Sequence, residues 1–66
     1  MNNRLTFQEM ADIFTGSALG LEDFIEKNKY AKPPRPEHWF HQQERELRAR
    51  KQAAEDYRRA ADRRAQ

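Results

Sequence analysis

The chain has 66 residues and a mass of 7.9 kDa, with 36% apolar and 36% charged residues, a formal net charge of +2 and no cysteine. A domain this small buries the smallest fraction of its surface of any folded class and is marginal alone, which argues against a deep catalytic pocket. The lack of cysteine excludes a disulfide staple, a thiolate metal site and a cysteine nucleophile.

Apolar runs reach only two or three residues, so no segment is expected to span a membrane. The opening Met-Asn-Asn-Arg-Leu-Thr lacks the apolar stretch of a secretory signal, and a cytoplasmic, intracellular location is the expectation. Charge is unevenly spread. Residues 1–36 balance five basic against five acidic side chains, whereas residues 37–66 carry eight basic and six acidic ones. The basic pI therefore belongs to the C-terminal part.

In chain order, Thr6-Phe7-Gln8-Glu9 fits a capping box, with Thr6 as N-cap and Glu9 reaching back. Phe7, Met10, Ala11 and Phe14 follow at i, i+3, i+4 and i+7, one apolar stripe of a first helix. Thr15-Gly16-Ser17 reads as a break, with Gly16 free to take positive φ. A second helix is expected from Ala18 to about Asn28, capped by Ser17 and burying Leu21, Phe24 and Ile25. Residues 30–36, Tyr-Ala-Lys-Pro-Pro-Arg-Pro, cannot be helix interior because three prolines remove amide donors. They read as a rigid hinge. Pro36 suits the first position of a long charged helix over 37–66, which contains no Pro or Gly. Glu44 with Arg48, Glu46 with Arg50 and Glu55 with Arg59 support that helix at i, i+4.

The expected fold is all-α: a single domain over 1–66, with a helical hairpin of two short helices at 5–28 packed on the start of the long helix. Trp39 and Phe40 fold back in this reading to close a small core. Along the long helix Phe40, Leu47, Ala54 and Ala61 repeat every seven residues, with Gln43, Arg50, Tyr57 and Arg64 at the companion positions. That set is poor for a leucine-type coiled coil, but its alanines suit a close antiparallel helix pair. A homodimer through this helix is one expectation.

Two helices joined by a short turn match a helix-turn-helix in length. Leu5-Thr6-Phe7-Gln8-Glu9-Met10-Ala11 resembles the opening of small winged helix-turn-helix proteins of the excisionase type. Lys27-Asn28-Lys29-Tyr30-Ala31-Lys32-Pro33-Pro34 resembles the basic, aromatic, proline segment that follows the recognition helix there. The resemblance implies a DNA-binding accessory protein that sets Arg4, Lys27, Lys29, Lys32 and Arg35 on phosphates. The chain departs from that pattern in two places. The exposed positions of the reading helix, Leu19, Gly20, Glu22, Asp23 and Glu26, are apolar or acidic, and Pro34 to Trp39 is too short for a β-wing. Nucleic acid is accordingly the disfavoured partner.

Remaining motifs carry no chemistry in this reading. His38 and His41 lie at i, i+3 but flank a Trp-Phe pair, and no metal site or cofactor is expected. Pro33 and Pro36 form a PxxP frame that reads as a spacer. No catalytic residue is assigned, and the chain is not expected to be an enzyme. The favoured function is a small interaction protein, an adaptor or inhibitor of a larger protein, of the build common in phage and mobile-element regulators. Tyr30, Trp39, Phe40, Arg50 and Tyr57 are its expected contact residues, because aromatics and Arg dominate interface energy.

Overall fold

The computed structural model describes residues 4–65, and Gln66, expected in the last turn of the long helix, lies outside them. It shows two α-helices, α1 (Phe7–Asn28) and α2 (Glu37–Ala65), joined by a proline-containing loop. They form one antiparallel hairpin whose longest extent is 49 Å. Direction follows from contacts at both ends: Phe24 meets Trp39 beside the loop, and Phe7 meets Arg64 at the open end.

The start of α1 follows from its cap. Thr6 Oγ1 accepts from the Glu9 amide at 3.1 Å, and Glu9 Oε1 accepts from the Thr6 amide at 3.2 Å. Two amide donors at the helix start are thereby satisfied.

The expected break at Thr15-Gly16-Ser17 is absent, which corrects the two-helix reading of residues 5–28: they hold one continuous 22-residue helix. Three features carry the chain through. The Thr15 hydroxyl donates to the Ala11 carbonyl at 2.8 Å, so it is satisfied inside the helix instead of competing with it. Gly16 keeps a negative φ, and Ser17 caps nothing. Above all, the inward face does not stop at Phe14. Phe7, Ala11, Phe14, Ala18, Leu21, Ile25 and Asn28 alternate steps of four and three, and each is buried or half-buried. A glycine costs a helix about 1 kcal/mol, which packing of the residues on either side outweighs.

The second strip of this seam is α2. Phe40, Gln43, Leu47, Arg50, Ala54, Tyr57 and Ala61 alternate steps of three and four and are all half-buried. The buried core is narrow and lies on α1: Ala11, Ala18, Leu21 and Ile25. Ala11 is fully covered, between Phe7 and Phe14, whose rings both pack on Tyr57. Trp39 and Phe40 therefore do not close a core over two short helices; they pack at the loop end, with Trp39 against Phe24. Larger rings fill the open end, where Tyr57 stacks on Phe14 at 5.6 Å and meets Phe7 at 6.2 Å.

Asn28 closes α1 in two ways. Its Nδ2 donates to the Phe24 carbonyl at 2.8 Å, and its Oδ1 accepts from Arg35 Nε at 3.0 Å across the loop. The Pro36 carbonyl accepts from the Trp39 amide at 3.0 Å and starts α2 at Glu37. Of the expected i, i+4 pairs on α2, Glu46–Arg50 and Glu55–Arg59 form.

A continuous α1 makes a sharp prediction. Beyond its chain neighbours and its own helical turns, nothing lies within 4 Å of where a Gly16 Cβ would stand. Gly16→Ala should stabilise the chain by about 0.5–1 kcal/mol in urea denaturation, whereas a turn glycine would lose stability.

Candidate interaction surface

The five expected contact residues do not share one patch. Phe40 and Tyr57 sit half-buried in the seam. Arg50 is half-buried between the helices, donating Nη1 to the Ser17 carbonyl at 3.3 Å and Nε to Glu46 at 3.1 Å. Tyr57 lies at the opposite end of the hairpin from Trp39, about 27 Å along α2 at 1.5 Å per residue. Tyr30, Trp39 and Phe40 lie toward the loop end, with Trp39 and Phe40 in ring contact.

That end carries an aromatic cluster. Trp39, in the first turn of α2, meets Phe24 of α1 at 5.7 Å and the edge of Phe40 at 5.0 Å. The Arg35 guanidinium lies 5.2 Å from the Trp39 ring centre, fixed there by its bond to Asn28. A cation held over an indole face is attracted by the ring quadrupole. Tyr30 projects from the loop and is 78% exposed, and Phe24 is 47% exposed. Phe24 was expected in the core. On a continuous helix it falls beside the seam, and that shift in register could have been read only by extending the stripe through Gly16.

The two long faces of the hairpin differ. On one, Thr15, Ala18 and Leu19 of α1 meet Lys51, Ala54, Glu55 and Arg58 of α2 in an open groove. Lys51 bonds Glu22 at 3.1 Å across it, so its rim is charged. On the other face, where Arg50 reaches Ser17, α1 presents Met10, Ile13, Ser17, Gly20 and Phe24 at steps of three and four. The matching α2 column, at seven-residue spacing, is Trp39, Glu46, Ala53 and Ala60. Small residues fill its middle, and Ile13 is 51% exposed.

The phosphate-contact set is dispersed. Arg4 precedes α1 at the open end, while Lys27, Lys29, Lys32 and Arg35 lie at the loop end. Lys27 pairs with Asp23 at 3.0 Å and Lys29 with Glu26 at 2.9 Å. The hydrogen bond that Lys29 donates to Glu26, with the charge of that carboxylate, holds the Lys29 ammonium above its usual pKa. Each of these two cations thus carries its own counter-charge. The reading helix of the helix-turn-helix resemblance required a turn at residues 15–17, and α1 runs unbroken there.

Glu37 and His41 approach to 3.6 Å on the exposed side of α2. No group of three metal-ligating side chains occurs among the described residues. No described helix is long and apolar enough to cross a membrane. Comparison with protein-family models, with curated proteins and with solved structures returns no match to this chain.

Location separates the roles of the two tyrosines. Tyr57→Ala should cost about 2–4 kcal/mol by emptying the aromatic end of the seam. Tyr30→Ala should change stability by less than about 0.5 kcal/mol. Thermal denaturation followed by circular dichroism distinguishes them.

Proposed function

We propose that this chain is a small non-enzymatic interaction module, an adaptor or inhibitor that binds a larger protein through the loop end of its hairpin. One observation supports this most: Phe24 stands half exposed against a Trp39 ring that also meets Phe40 and the Arg35 guanidinium, and Tyr30 stands exposed on the adjoining loop. Rigid aromatic side chains and Arg carry most of the energy at protein interfaces, because they bury large areas while fixing few torsions. Here both are pre-positioned. The loop prolines limit backbone freedom, and the Asn28–Arg35 bond ties the loop to α1. Fewer degrees of freedom remain to be lost on binding.

Residues expected to make contact are therefore Tyr30, Arg35, Trp39 and Phe24. Phe40, Arg50 and Tyr57 serve the hairpin that presents them. The test is affinity capture from nuclease-treated lysate of the source cell, comparing the native chain with a Tyr30→Ser, Arg35→Ala double variant. The reading predicts one stoichiometric protein on the native chain, reduced at least tenfold on the variant, with the variant's helix content unchanged. Retained material that disappears on nuclease treatment, or a protein held equally by both chains, contradicts it.

A further inference from the structure

Two helices side by side leave each other's outer surfaces bare. The chain exposes 5657 Å². A compact monomer of its mass exposes about 4,400 Å². A compact assembly of two copies would expose about 7,300 Å², so reaching it from two hairpins buries about 4,000 Å² in total. That value falls within the range of obligate homodimers, about 2,000–5,000 Å². The seam is consistent with this deficit, since no large side chain in it is fully buried.

We propose that a second copy of this chain covers the face formed by Met10, Ile13, Ser17 and Gly20 of α1 with Ala53 and Ala60 of α2, giving a four-helix dimer. The α2 heptad stripe is already occupied by α1, so a second copy does not meet that stripe directly. The opposite face is the weaker candidate, because the Glu22–Lys51 pair and Arg58 surround its only large exposed apolar side chain, Leu19. On the proposed face Ser17, Gly20, Ala53 and Ala60 are small, which lets helices approach closely, Ile13 supplies an exposed apolar knob, and the charged member of the α2 column, Glu46, is paired with Arg50 of its own helix.

Charge also selects the occupant and its orientation. α1 carries five carboxylates (Glu9, Asp12, Glu22, Asp23, Glu26) against Lys27 alone. α2 carries eight basic residues against six acidic ones. Setting α1 beside α2 of the partner brings opposite net charges together and puts like helices on the diagonal. Pairing α1 with its own copy would oppose two acidic helices. The helices are thus complementary in net charge in the arrangement that covers this face, with Glu22, Asp23 and Glu26 already paired to Lys51, Lys27 and Lys29 within one copy.

Sedimentation equilibrium and thermal denaturation over a concentration series test this. The native chain should sediment at twice 7.9 kDa, with a Tm that rises with concentration, because unfolding is then coupled to dissociation. Ile13→Glu should raise the dimer dissociation constant about 100-fold or more by burying an unpaired charge, and Leu19→Glu on the opposite face should leave it within about threefold. Should Ile13→Glu lose helix, Ile13→Gln reads the same position without the added charge, and an unchanged dissociation constant in that variant also overturns the proposal. A mass of 7.9 kDa with a concentration-independent Tm overturns the proposal. So does a dimer that survives Ile13→Glu, or one that Leu19→Glu disrupts instead. The Tyr30 and Arg35 substitutions lie in the loop, away from the centre of this face, so failure of the loop-end reading and failure of the dimer are separately visible.

Discussion

Everything in this molecule depends on one seam. Residues at alternating steps of four and three on α1 face residues at alternating steps of three and four on α2, and the two strips run antiparallel along nearly the whole chain. Among the described residues there is no third element to bury against. The seam alone must hold both helices. Ala11 and Ala18 face inward and are buried, the Phe7, Phe14 and Tyr57 rings pack around Ala11, and Phe24 and Trp39 pack beside the loop.

The same constraint explains why chemistry-bearing residues are scattered. A helix pair has two ends and two long faces but no enclosed cavity. Arg50 shows the consequence. It occupies a seam position where an apolar residue would serve cohesion, yet it lies half-buried and bonded to the Ser17 carbonyl and to Glu46. A partly buried cation of this kind adds little net stability. The loop end is the place where aromatic groups and a cation gather outside the seam, which is why the functional reading rests there.

Much of the fold was legible in the sequence. The Thr6–Glu9 capping box fixes the start of α1, the prolines fix the loop, and the seven-residue repeat Phe40-Leu47-Ala54-Ala61 marks the inward face of α2. The break assigned to Thr15-Gly16-Ser17 was the misreading. Local propensity favours a turn there, and only the tertiary register of Phe14, Ala18 and Leu21 overrides it. That one choice displaced Phe24 from surface to core and lent the segment the outline of a helix-turn-helix. Of the contact residues, Tyr30 could be read as exposed from its place among prolines. Tyr57 could not, because its burial depends on Phe7 and Phe14, which reach it only when α1 is continuous.

The most direct measurement is a set of backbone chemical shifts and ring contacts by NMR on the intact chain. The account predicts helical Cα shifts without interruption from Phe7 to Asn28, together with nuclear Overhauser contacts from the Tyr57 ring to both Phe7 and Phe14. Coil-like shifts at Thr15, Gly16 and Ser17, with Tyr57 contacting neither ring, would contradict the single seam and everything built on it.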